Sequence, residues 1–180
     1  WNVGQHSACV VDFFNKYYSN SIPESMHSIM KLILLAHDIG KGEAVEKGIT
    51  QKRANFVCMD TLFDYMNIPT NIRKLVKFVV NDSQRYTSEI LLKSGQNESE
   101  LEQKKFTREK YFIKMLNNEC YNILYENFKG KPTSAEVDTL RNLCLILQFC
   151  DSGAYTFYAK IKENNAFVSG GNQNFTNSFE

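Results

Sequence analysis

Helix breakers are scarce in this chain of 180 residues, which has 3 prolines and 9 glycines. Proline removes a backbone donor and glycine adds conformational freedom to the unfolded chain. Their rarity leaves long stretches in which helices can run uninterrupted. Strand-type alternation is also missing: between the breakers, apolar residues recur at spacings of three and four, the period of a helix face. The expected fold class is all-α. Long hydrophobic runs are absent too. The longest, Ile29 to Ala36, is interrupted by Lys31 and falls well short of the roughly 20 apolar residues that cross a bilayer. No signal-peptide pattern opens the chain, so no membrane partner and a cytoplasmic location are expected.

An excess of charge of one sign is lacking as well. Lysine plus arginine total 21 against 20 acidic residues, which supplies no electrostatic reason to expect a polyanion, and nucleic acid is not indicated as a partner. CxxC pairs are absent. The five cysteines, Cys9, Cys58, Cys120, Cys144 and Cys150, are odd in number and sit mostly among apolar residues, where a reduced thiol packs as a small hydrophobe.

What is present is one domain's worth of apolar side chains, 43% hydrophobic and 13% aromatic, enough for a single core. The spacing predicts helices over about 4–19, 23–38, 50–66, 70–80, 83–94, 98–128 and 134–162. Ser21 and Glu24 frame a capping box with Pro23 in the first turn, Thr133 and Glu136 frame another after Pro132, and Gly40, Gly95 and Gly130 stand where helices should stop. The aromatic series Phe106, Tyr111, Phe112, Tyr121, Tyr125 and Phe128 is expected to be core packing. A helical domain is expected over residues 1–168, with a polar tail rich in Gly, Asn, Ser and Thr over 169–180. The chain opens on Trp1 and is already patterned as helix by His6, which is read as either a trimmed chain or a domain excised from a longer protein.

The informative string is Leu34-Leu35-Ala36-His37-Asp38-Ile39-Gly40-Lys41-Gly42, an apolar helix that runs into a His-Asp pair and is stopped by glycine. His37 shares a stripe with Ile33 or Leu34 and with Ile29 or Met30, so its imidazole points inward. A lone inward histidine is usually a satisfied core residue, but this one has companions. His6 falls on a face with Cys9, Val10, Phe13 and Tyr17. Asp151 continues the line Leu140, Leu143, Cys144, Leu147 on a late helix. A buried carboxylate without a partner costs several kcal/mol or takes up a proton, and a divalent ion would satisfy it. Two imidazoles and two carboxylates suit Zn, Mn, Fe, Ni, Co or Mg, and the spacing does not choose among them.

The order His, His-Asp, Asp, with the pair ending an apolar helix and the last aspartate in Leu-Ile-Leu-Gln-Phe-Cys-Asp, resembles the HD-domain superfamily of metal-dependent phosphohydrolases over most of the chain. The resemblance implies an HD-domain-like helical bundle, with His6, His37, Asp38 and Asp151 as metal ligands. The implied activity is hydrolysis of a phosphomonoester or phosphodiester of a small nucleotide-like substrate by a metal-activated water. Asp38 would hold or deprotonate that water and Lys41 would assist the substrate phosphate, although a solvated lysine favoured by the helix dipole explains Lys41 nearly as well. Lys52 and Arg53 would add phosphate contacts if the loop after the pair folds over the site, with Arg85 beside Asp82 as a further candidate. Asn81 and Asp82 either line the cavity or cap the next helix. Two-metal members of the superfamily carry further histidines in the middle of the chain. Here the only other histidine is His27, off the apolar stripe and read as structural or surface, so one divalent ion is expected. A catalytically reduced HD domain acting as a ligand-binding or regulatory module is the alternative, and a scaffold using the charged 93–110 segment is a third.

Overall fold

The computed structural model describes the backbone of residues 2–91 and 101–164 and the side chains of residues 2–90 and 108–155. The helical-domain boundary at 168, the polar tail 169–180, the stop at Gly95 and the acidic beginning of the 93–110 segment lie outside the described residues. Among these residues there are helices and no strand. The all-α expectation holds, and no described helix is long and apolar enough to cross a membrane.

The first helix, α1 (Val3–Tyr17), starts from a capping box that the periodicity does not reveal: Asn2 Oδ1 accepts from Gln5 N at 2.9 Å, and Gln5 Oε1 accepts from Asn2 N at 3.1 Å. The box expected at Ser21 and Glu24 does not form. Pro23 biases its predecessor toward extended backbone, and Ile22 takes φ −136 and ψ 156 with its side chain in the core. Ser21 therefore closes a 3-10 turn, its N–H donating to Tyr18 O at 2.9 Å. A second 3-10 turn, Glu24–Met26, leads into α2 (His27–Ala36).

A short helix, α3 (Lys41–Lys47), occupies what the spacing leaves as a loop. It buries none of its residues, so it has no apolar stripe to betray it, and Gly48 ends it at φ 61. Then come α4 (Gln51–Tyr65), capped by Thr50, and α5 (Thr70–Lys77). The segment expected to break between two helices instead widens into a π turn, Phe78–Asp82, in which Ser83 N donates to Phe78 O at 2.9 Å, and continues as α6 (Gln84–Leu91). The long pair α7 (Leu101–Asn127) and α8 (Ser134–Asn164) completes the bundle. The box expected at Thr133 is present: Glu136 takes Thr133 N and Oγ1, both at 2.8 Å.

Packing places α8 against α1, α2, α6 and α7. Phe14 of α1, Met30, Ile33 and Leu34 of α2, Phe63 of α4 and Leu143 of α8 are fully buried. Where α1 crosses α8, a Cβ on Gly153 would stand 2.3 Å from the Phe13 ring, so glycine lets the two helices approach closely two residues beyond Asp151. The aromatic series of α7 differs from expectation. Phe112 packs on the core, while Tyr111 and Tyr125 face solvent, since a long helix presents only one stripe inward.

Candidate functional site

His37 is the residue that ends α2. The last turn of a helix leaves carbonyls without intrahelical partners, and the imidazole takes one of them: Nδ1 lies 2.7 Å from Leu34 O. A carbonyl only accepts, so Nδ1 carries the proton and Nε2 presents its lone pair away from the helix. His6 of α1 meets it there, with the two Nε2 atoms 3.3 Å apart. Asp151 of α8 places Oδ1 2.8 Å from His6 Nε2 and 3.5 Å from His37 Nε2. Asp38 places Oδ2 3.5 Å from His37 Nε2 and 3.7 Å from His6 Nε2. The side chains of His6, His37 and Asp38 are almost wholly buried, and that of Asp151 is one-third exposed.

Four lone-pair atoms from three helices and one turn thus crowd together, which is unfavourable unless positive charge lies among them. His37 responds as expected. Burial works against charging it, but its hydrogen bond to Asp151 and the charges of Asp38 and Asp151 outweigh burial and raise its pKa from the ordinary 6.5. Burial would raise Asp151, yet contacts with His37 and His6 hold its carboxyl well below the usual range. A cation is the other remedy. Bonds of about 2.1 Å to nitrogen and oxygen put neighbouring ligand atoms roughly 3.0–3.5 Å apart, close to the separations here. The buried group His6, His37 and Asp38 can hold a metal ion, and Asp151 Oδ1 adjoins it.

Sequence reasoning does not single out the residues that pose the His-Asp turn. Asn55 of α4 is buried and clasps it from both sides, Nδ2 donating to His37 O and Oδ1 accepting from Gly40 N, each at 2.8 Å. Gly40 lies directly on the α4 backbone: an added Cβ would stand 2.3 Å from Asn55 N and 2.4 Å from Ala54 C. Gln51, one turn earlier on the same face, donates Nε2 to Asp38 Oδ1 at 2.7 Å. Lys41 Nζ holds the other oxygen, Oδ2, at 2.6 Å. Tyr155, one turn beyond Asp151, sets its ring 4.7 Å from that of His6. Burial and the Asp151 charge push its phenol upward, with Lys41 partly opposing. Lys41 and Tyr155 are about half exposed and form the solvent side of the cluster. The signal available was spacing: Gln51 and Asn55, like Asp151 and Tyr155, are four apart and share a helix face.

The other candidates fall elsewhere. Lys52 and Asp82 pair with each other at 2.7 Å, both substantially exposed. Asp82 does not cap α6, and Asn81 is buried behind Asn55, its Oδ1 3.5 Å from Asn55 Nδ2. Arg53 is exposed on the face of α4 opposite Gln51 and Asn55, since two residues turn a helix by more than half a revolution. Arg85 stacks on Tyr86 and reaches Glu119 at 3.7 Å. His27 is structural, its Nε2 2.8 Å from Ser19 O. The five thiols are unbridged, and burial with the Asp151 charge pushes Cys150 up to about 12, the state of an inert core thiol. Compared with protein-family models, with curated proteins and with solved structures, the chain matches none of them.

Proposed function

We propose that this protein is an HD-type metal-dependent phosphohydrolase that holds one divalent ion on His6, His37, Asp38 and Asp151 and cleaves a phosphomonoester or phosphodiester of a small nucleotide-like substrate. The reading rests on one observation, the approach of four ligand atoms from distant parts of the chain to within 2.8–3.7 Å. A bound divalent ion supplies Lewis acidity toward a phosphoryl oxygen and acidifies its water.

The chain's own residues do the rest. The Leu34 carbonyl fixes the His37 ring in one tautomer, and Asn55 holds the main chain that carries it. Gln51 and Lys41 hold the Asp38 carboxylate from opposite oxygens, so it faces the histidines in a single pose and accepts a hydrogen bond from the attacking water. Lys41, at the rim, exchanges part of its contact with Asp38 for a substrate phosphate. One ion suffices for the charge present, because the Lys41 ammonium already neutralises the outer side of Asp38.

Metal content tests the site. Purified protein is expected to carry about one equivalent of transition metal, and His37→Ala and Asp151→Asn to lose it. Retention in both variants overturns the site. A screen of phosphomonoesters, mononucleotides and cyclic nucleotides with Mn, Ni, Co or Mg tests the chemistry, with turnover expected to vanish in Asp38→Asn. Metal binding without turnover moves the reading to a ligand-binding or regulatory HD module.

A further inference from the structure

A cleft of about 400 Å³ shares no lining residue with the histidine–aspartate cluster. It lies at the other end of α2. Its walls come from the turn before α2, from α5, from the end of α7 and from the first turns of α8, with Met26, Ile29, Ile72, Leu75, Phe128 and Leu140 making an aliphatic and aromatic interior. The volume is at the lower end of the range of small-ligand pockets, roughly 300–1,000 Å³.

Its charges are asymmetric. Three charged residues line it, Glu136, Lys129 and Lys131. The Glu136 carboxylate is engaged by the Thr133 N–H and hydroxyl at the start of α8, and those contacts pull its pKa down. Lys129 and Lys131, on the loop joining α7 to α8, are exposed, and neither makes an ion pair among the described residues. An apolar interior with two cations at its mouth and its one carboxylate already satisfied complements a ligand with an aliphatic body and one anionic head. We propose that this cleft binds a free medium-chain alkyl carboxylate, its chain among Met26, Ile29 and Leu140 and its carboxylate between Lys129 and Lys131.

The test is calorimetric titration of the full chain with a series of straight-chain carboxylates from six to twelve carbons and with the matching alcohols. Carboxylate affinity is expected to rise about fourfold per methylene until the cleft is filled. The carboxylates are expected to bind at least tenfold more tightly than the alcohols, and Lys129→Gln with Lys131→Gln to erase that margin while leaving the alcohols unchanged. Ala135→Trp, at an exposed rim position, is expected to plug the cleft and abolish both, with the melting temperature confirming that the variant folds. Affinity independent of chain length, equal binding of alcohol and carboxylate, or binding that survives Ala135→Trp in a folded variant each overturns the proposal.

Discussion

The two ends of α2 differ in kind. At His37 the helix delivers polar atoms into a buried cluster held by its own last turn, through Leu34 O, and by Asn55, Gln51 and Lys41 from the elements that follow. At the other end Ile29 of the same helix, with Met26 from the turn before it, lines an open cleft with its charges at the rim. One helix of ten residues thus serves two chemistries because a helix carries no chemistry of its own. What it positions depends on what packs at each terminus. A buried polar cluster is sensitive to every support, since each unsatisfied group bears its full desolvation cost. An apolar cleft tolerates single changes.

The comparison is broken most severely at Gly40. Gly40→Ala drives a Cβ into the α4 backbone, which neither side can relieve by rotating a side chain. A loss of about 3 kcal/mol or more in a denaturant melt is expected, together with loss of bound metal; a near-native melt would show that α4 does not rest on the turn as described. Asn55→Ala comes next. It strips the partners from His37 O and Gly40 N, with an expected cost of about 1–3 kcal/mol and metal affinity reduced about 10–100-fold, read by competition with a chelating dye. Thr133→Ala, at the cleft end, is the contrast: it removes the α8 cap and lowers the melting temperature slightly while metal affinity stays at the wild-type level.

The smallest effect is in pH. In metal-free protein the His37 pKa is raised above 6.5, so the stability it contributes is fully present below about that pH and is lost as pH rises through the folded value. Asp151 is depressed below 3.8, so its contribution is present above that value and is lost only in strong acid. The melting temperature of chelator-treated protein is therefore expected to fall as pH rises above about 6.5. A saturating divalent ion competes with the same proton, so the melting-temperature gain on adding metal is expected to grow over that range. A gain that shrinks with rising pH would contradict the exchange of proton for cation.

Much of the fold and the centre of the site were legible in the residues. His6, His37 and Asp151 stand at apolar spacings, and phase alone turns the two histidines into the interior and brings Asp151 to its edge, one-third exposed. Their supports were not legible, for physical reasons. Gln51 and Asn55 lie on a helix whose apolar stripe is weak, so no periodicity marks their face as buried; only the approach of the His-Asp turn makes it so. The short α3 has no buried residue to announce it. Ser21 carries a capping spacing that Pro23 overrides by holding Ile22 extended. Charge beside Lys52 suggests Arg53 for a phosphate contact, but charge does not determine which way a helix turns a residue.

The hydrogen bond from His37 Nδ1 to Leu34 O also bears on kinetics. The ring is aimed by the end of its own helix, so its orientation is set when the chain folds, before any ion arrives. A cation reaching the cluster would exchange its hydration water for donors already facing it, and the rate of uptake would then be governed by how fast each ion sheds water. Ions of equal charge should consequently differ in how quickly they load even where they bind equally tightly.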